Sequence, residues 1–222
     1  MTDFHAHVLP GIDDGSSSVE ESVALLEMLC VQGVSRVCAT PHFNALYDEP
    51  DRFIKRRDEA FLRLEEAAAE KEIPQIILGA EVAYFPGICN MQSIERLCLA
   101  GTRYLLLEMP CEPWSDYTVN ELVKLAVSKD VVPVLAHVER YLSYQKANAL
   151  ERLRDVGVLM QVNASFFINR KTRRRALELL KRGEVHFLGS DCHDLVLRPP
   201  RYAEAVKVIE DKFGNKYDFN KL

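Results

Sequence analysis

The chain has 222 residues, 48% of them apolar and 27% charged, with a formal net charge of −5 and an isoelectric point near 5.7. That length and apolar content allow a single domain over 1–222 with a substantial core, since α/β barrels often reach this size undivided. The acidic balance argues against nucleic-acid or anionic-membrane partners, no apolar stretch approaches the roughly 20 residues of a bilayer span and no basic segment precedes a short apolar one, so a soluble, cytoplasmic protein without membrane insertion is expected.

Apolar runs place the first strand near 2–6, ending in His5-Ala6-His7. Side chains at i and i+2 leave a strand on the same side, so both imidazoles can grip one ion. The loop LPGIDDGSSS follows and carries Asp13 and Asp14. Ser18-Val19-Glu20-Glu21 then has capping-box spacing and opens a helix through Leu25, Leu26 and Leu29 that Gly33 ends. A strand near 34–40 leads to His42, the loop FNALYDEP and a helix over 51–71. Strands near 75–82 and 103–109 close on Glu81 and Glu108, and a helix covers 117–129. The strand near 131–136 closes on His137, with Arg140 just beyond it, and a helix covers 145–156. The strand near 158–163 ends in Gln161-Val162-Asn163. The basic run from Arg170 to Arg175 reads as the solvated start of a helix over 171–182, with Ala176, Leu177 and Leu180 on its apolar face. The last strand, near 185–190, closes on Asp191-Cys192-His193, and Arg198 precedes a final helix over 201–213. His186 stands at the opposite end of that strand, away from the other histidines.

Seven strands alternating with six helices make an α/β chain in which parallel strands run side by side, so residues at their downstream ends meet although they are far apart in sequence. If the strands close into a barrel, the first and last become neighbours and bring the two i, i+2 pairs together. Five imidazoles (His5, His7, His42, His137, His193) and four carboxylates (Asp14, Glu81, Glu108, Asp191) are too many for one ion and point to a cluster of two or three. Glu81 and Glu108 close apolar runs where an unpaired carboxylate is costly, so each needs a cation or a hydrogen-bond partner; structural pairing with arginine is the plainer alternative. The six cysteines show no paired spacing and are expected to be reduced, with Cys38 and Cys192 as packing residues. Cys30 to Arg36 matches the C-x5-R string of cysteine-dependent phosphatases, but that loop needs a strand before the cysteine and a helix after it, and the order here is reversed.

The segments MTDFHAHVLPGIDDGSSSVEES, ATPH, GAEV, LLLEMP, AHVERY, QVN and SDCHDLVLRPP resemble, nearly end to end, the polymerase-and-histidinol-phosphatase (PHP) superfamily, and within it the bacterial manganese-dependent protein-tyrosine phosphatases of capsule and exopolysaccharide operons. The resemblance implies a distorted seven-stranded, TIM-like (β/α) barrel with three metals at the carboxyl ends of its strands. One ion would take His5, His7, Glu81 and Asp191; a second would share Glu81 and add Glu108 and His137; the third would take Asp14, His42 and His193, with Asp13 as the alternative to Asp14. It also places Arg140 and Arg198 at the phosphoryl oxygens, a role suited to the planar guanidinium. Three divalent ions outweigh the four carboxylates, leaving a positive pocket in an acidic protein, and a water of lowered pKa between them can attack phosphorus. Manganese is the implied metal, with iron, zinc and cobalt as alternatives, and the implied partner is a phosphotyrosine protein, a bacterial tyrosine kinase. Asp194 is a candidate acid for poorer leaving groups. A histidinol-phosphatase-like small-molecule enzyme, a nuclease of the same superfamily and a metal-binding regulator without turnover are the competing readings.

Overall fold

A computed structural model describes residues 1–128 and 130–218. In chain order it contains β1 (Thr2–Ala6), α1 (Val19–Val31), β2 (Arg36–Ala39), β3 (His42–Phe43), α2 (Pro50–Ala67), β4 (Gln75–Leu78), β5 (Glu81–Ala83), β6 (Tyr104–Glu108), α3 (Asp116–Ser128), β7 (Val132–Leu135), α4 (Ala147–Asp155), β8 (Leu159–Asn163), α5 (Ala164–Ile168), α6 (Arg173–Lys181), β9 (Phe187–Gly189) and α7 (Tyr202–Phe213). Short 3-10 turns occupy Ile88–Asn90, Ile94–Leu97 and Val138–Arg140. Every strand pair is parallel: β1-β2-β4 form one sheet and β3-β5-β6-β7-β8-β9 the other. A bridge between Ala6 and Cys192 links the first strand to the segment beyond the last. The His7 N–H donates to the Cys192 carbonyl at 2.9 Å and the Asp191 N–H to the His5 carbonyl at 2.8 Å beside it.

Two expected strands are each broken in two. The run expected at 34–40 is β2, and β3 resumes at His42 after Thr40-Pro41; the run at 75–82 splits into β4 and β5 around Gly79-Ala80. Pro41 has no N–H to give a ladder. The breaks fall side by side, so β2 pairs with β4 in the first sheet and β3 with β5 in the second. Helix α5 falls between the strand expected near 158–163 and the helix expected over 171–182, where the sequence predicts no element, because its five residues, ASFFI, are too few and too apolar to show a helical period. The last expected residue of the helix over 117–129 lies outside the described residues.

At α1, Ser18 accepts the Glu21 N–H at 3.2 Å as an N-cap should, but Glu21 reaches back to the Ser17 N–H at 2.8 Å and the Ser17 hydroxyl rather than to Ser18. The helix ends with Gly33 at φ 80°, its N–H on the Cys30 carbonyl and that of Val34 on the Leu29 carbonyl, the double bond of a Schellman stop.

The strands carry two apolar sets. Leu105, Leu107, Leu135, Met160, Val162 and Leu188 pack outward into the large core shared with the helices. Phe4, Cys38, Leu106, Val134 and Phe187 form a separate inner cluster, in which Phe4 stacks on Phe187 with ring centroids 3.8 Å apart. Strict alternation would turn His5 away from the face that holds Phe4. The register slips between Asp3 and Ala6, where three steps of β1 match two of β2. That bulge lets Phe4 join the inner cluster while His5 turns to the same interior above it, an instance of a bulge re-aiming a side chain.

Candidate metal centre

The downstream ends of β1, β6, β7 and β9, the first residues of β3 and β5 and the loop after β1 converge, and they bring all nine expected ligand side chains into one chain of contacts. The His5 and His7 Nε2 atoms lie 3.0 Å apart, and each lies close to Glu81 Oε2, at 3.2 and 3.3 Å, and 3.6 Å from Asp191 Oδ1. His42 Nδ1 is 3.1 Å from the same Glu81 oxygen, and His137 Nε2 is 2.8 Å from Glu81 Oε1 and 3.5 Å from Glu108. Asp14 lies 3.4 Å from His42 and 3.7 Å from His193. Three subsets could each hold an ion: His7, Asp14, His42 and His193; His5, His7 and Glu81; and His42, Glu81 and Glu108. His5, His7 and Glu81 form a buried floor, whereas the side chains of Asp14, His42 and Glu108 keep 69%, 37% and 33% of their exposure at the rim.

The hydrogen bonds test whether this pocket suits cations. His7 Nδ1 lies 2.7 Å from Asp13 Oδ2, and His5 Nδ1 lies 3.2 Å from Gln161 Oε1. Both partners are acceptors, so both Nδ1 atoms carry hydrogen, and in the neutral rings two Nε2 lone pairs face each other at 3.0 Å. Only a proton or a metal ion relieves that opposition. His193 Nε2 is buried without a hydrogen-bond partner beside them. Nitrogen and carboxylate donors so arranged fit divalent transition metals.

The electrostatics agree. Burial would push His7 down, but its bonds to Asp13 and Glu81 hold the imidazole up at about 10; His5 is raised against burial by Glu81 and Asp191. Despite burial, the charges and hydrogen bonds of His5, His137 and His7 keep Glu81 well below the usual carboxylate range. Burial, reinforced by the charges of His7 and Arg198, pushes His193 down to about 4. Strain collects here as well: His137 and Asp191 adopt φ of 32° and 53°, two of the three left-handed non-glycine residues among those described.

Of the two adjacent aspartates, Asp14 faces His42 and His193, while Asp13 accepts from His7 Nδ1 and from the N–H groups of Gly15 and His42, positioning rather than competing. Arg140 and Arg198 both stand on Asp191 Oδ2, at 2.6 and 2.9 Å. Asp194 is a poor acid: although burial acts the other way, the N–H groups of Val196, Leu197 and Arg198 bind its carboxylate and hold its pKa low. Tyr141, whose hydroxyl is 3.0 Å from His137 Nδ1, Gln161 and Asn163 also touch the cluster; nothing in residue type alone separates such uncharged partners from core residues. Cys30 sits in the last turn of α1 and Arg36 opens β2, helix before strand. All six cysteines are unpaired. In the basic run, Arg173 donates to the Phe167 and Ile168 carbonyls and Arg175 to that of Leu142. His186 is used elsewhere, its Nδ1 accepting the Met160 N–H. No helix among the described residues is long and apolar enough to cross a membrane.

Comparison with known proteins gives the same picture. The chain is 32% identical to the tyrosine-protein phosphatase CpsB of Streptococcus pneumoniae over 97% of its own length and 92% of the relative's. Its structure is similar, at TM-score 0.84 and 26% identity, to one of the metal-dependent tyrosine phosphatases YwqE of Bacillus subtilis and CpsB of Streptococcus pneumoniae, covering 97% of this chain and 89% of that one. The histidinol phosphate phosphatase of Lactococcus lactis shares the fold at TM-score 0.56 and 13% identity, with 95% and 92% of the two chains covered. A family model described as capsular polysaccharide synthesis, CpsB/CapC, matches residues 1–221, and the chain belongs to that family.

Proposed function

We propose that this protein is a metal-dependent phosphomonoesterase that removes phosphate from tyrosine in a protein, its substrate being a bacterial tyrosine kinase of capsule or exopolysaccharide synthesis. The observation that carries the reading is the cluster itself: nine ligand-type side chains, Glu81 at their centre, with two arginines on the outer oxygen of Asp191, in a chain of this family. The reading takes the strands as one distorted seven-stranded barrel, β2 with β3 and β4 with β5 each counting as one interrupted strand, in a single cytoplasmic domain over 1–222.

His5, His7, Asp14, His42, Glu81, Glu108, His137, Asp191 and His193 would hold two to three divalent ions, manganese foremost. Bound there, such ions supply Lewis acidity to the phosphoryl oxygens and lower the pKa of an attacking water. The chain's own contribution is placement. Arg140 and Arg198, with side chains 39% and 40% exposed, stand at the rim where a phosphate enters, and their planar forks match its oxygens. The aryl leaving group needs little help, because tyrosinate is a comparatively weak base with an ordinary pKa of about 10. No nucleophilic cysteine is used.

The test compares manganese-reconstituted protein on phosphotyrosine peptides, phosphoserine peptides, histidinol phosphate and single-stranded DNA. Phosphotyrosine should give the highest kcat/KM. Preference for histidinol phosphate or cleavage of DNA would replace this reading, and absence of turnover on all four would make the protein a metal-binding regulator.

A further inference from the structure

Strand β8 leads to none of the nine ligand-type residues, yet it runs between β7 and β9, whose downstream ends lead to His137 and to Asp191. Its inner side holds Gln161, fully buried, and Asn163, 4% exposed. The direction of every hydrogen bond that these two amides make is fixed by one backbone group. The His137 N–H can only donate, and it lies 2.7 Å from Gln161 Oε1, which fixes that atom as the oxygen. The same oxygen lies 3.2 Å from His5 Nδ1, so the ring must donate there, and its hydrogen sits on Nδ1. The Gln161 Nε2 then donates to Asn163 Oδ1 at 2.9 Å, which leaves Asn163 Nδ2 to donate to Asp191 Oδ2 at 2.7 Å. Reversing either amide would set hydrogen against hydrogen or oxygen against oxygen at two points.

We infer that Gln161 and Asn163 are positioning residues of the metal centre: Gln161 holds the hydrogen of His5 on Nδ1, which leaves Nε2, facing Glu81, as the atom for a metal ion, and ties the ring to the backbone of His137, while Asn163 fixes Oδ2 of Asp191. One buried polar string thus joins His5 of β1, His137 beyond β7 and Asp191 beyond β9 through a strand that supplies no ligand-type residue itself. The packing is tight enough to enforce it. A Cβ on Gly189 would stand 2.6 Å from Gln161 Nε2 and 2.7 Å from His5 Cβ, so only glycine leaves the amide and the imidazole room to meet. Partners of this kind that orient a ligand typically change metal affinity by about 10- to 100-fold when removed.

The inference rests on the metal reading above, and metal binding without substrate separates the two. Zinc and manganese affinities are measured by calorimetry on the parent, Gln161→Leu and Gln161→Glu. Leucine removes both the acceptor and the donor, and affinity should fall about 10- to 100-fold. Glutamate keeps the acceptor for His5 and His137 but sets an oxygen against Asn163 Oδ1, so its affinity should fall between those of the parent and the leucine variant. Nitrogen-15 NMR of the zinc-loaded parent should show His5 with hydrogen on Nδ1, a readout that a merely structural role does not demand and that needs no variant to fold. Hydrogen on Nε2 of His5, or a folded leucine variant with parental affinity, would overturn the inference while leaving the metal reading in place. A parent that binds no divalent ion would overturn both.

Discussion

Asp191 turns its two oxygens in opposite directions, and much of the site's behaviour follows from that. Oδ1 faces His5 and His7, and Oδ2 takes Arg140, Arg198 and Asn163. The sequence gives no sign that the arginines and the ligand set share a carboxylate; strand-end placement alone keeps them separate. Arg140→Ala or Arg198→Ala should lower kcat/KM on an aryl phosphate by on the order of 10²-fold, as loss of one charge-stabilising donor does, with lysine rescuing only partly. Because Asp191 loses a partner too, manganese affinity should shift by a few-fold in the same variants; parental kcat/KM in both would show that the arginines do not meet the phosphate. A second expectation concerns protons. In the metal-free chain His7 is raised from 6.5 to about 10, so the proton that the folded state keeps contributes stability in full below the ordinary imidazole value and loses it as pH rises toward 10. An ion must displace that proton, so metal affinity should increase with pH across this window, and binding at pH 7 should release protons to the buffer. Calorimetry in buffers of different ionisation enthalpy reads this directly, and release of none would contradict it.

At the scale of elements, the strand ends were readable because a charged or imidazole side chain closing an apolar run is costly unless a cation or hydrogen-bond partner meets it, and here the pattern recurs at several strands. The breaks at Pro41 and Gly79-Ala80, the bulge in β1 and helix α5 were not, since each depends on what the neighbouring strand does rather than on local pattern. Asp13 and Asp14 illustrate the limit: identical chemistry, adjacent positions, and only the turn decides that one braces His7 and the other faces His193. Two substitutions probe elements directly. Gly189→Ala places a methyl against β1 and β8 and should cost about 1–3 kcal/mol, seen as a lower Tm together with reduced metal content. Parental values for both would mean that β9 shifts freely. Cys30→Ser, in the last turn of α1, should leave phosphatase activity within a few-fold, whereas a chelator should abolish it; the opposite pattern would restore a thiol mechanism.

For the molecule as a whole, the floor of the centre is a set of buried imidazoles and carboxylates. Ions that bind the folded chain alone should therefore stabilise it, by about 2.7 kcal/mol when free metal is a hundredfold above Kd, and thermal melts with and without manganese should separate accordingly. Coincident melts would show that the unfolded chain competes for the metal or that none binds. The seam between Ala6 and Cys192 has a consequence in time as well as in space. His5 and His193 are far apart in sequence, and the bonds that draw them together are those from Asp191 to His5 and from His7 to Cys192. A ribosome delivers His193 only 188 residues after His5. No nascent length short of that can assemble the centre, so a growing chain meets the cell's metals with scattered ligands and acquires a complete pocket, and the chemistry proposed for it, in one late step.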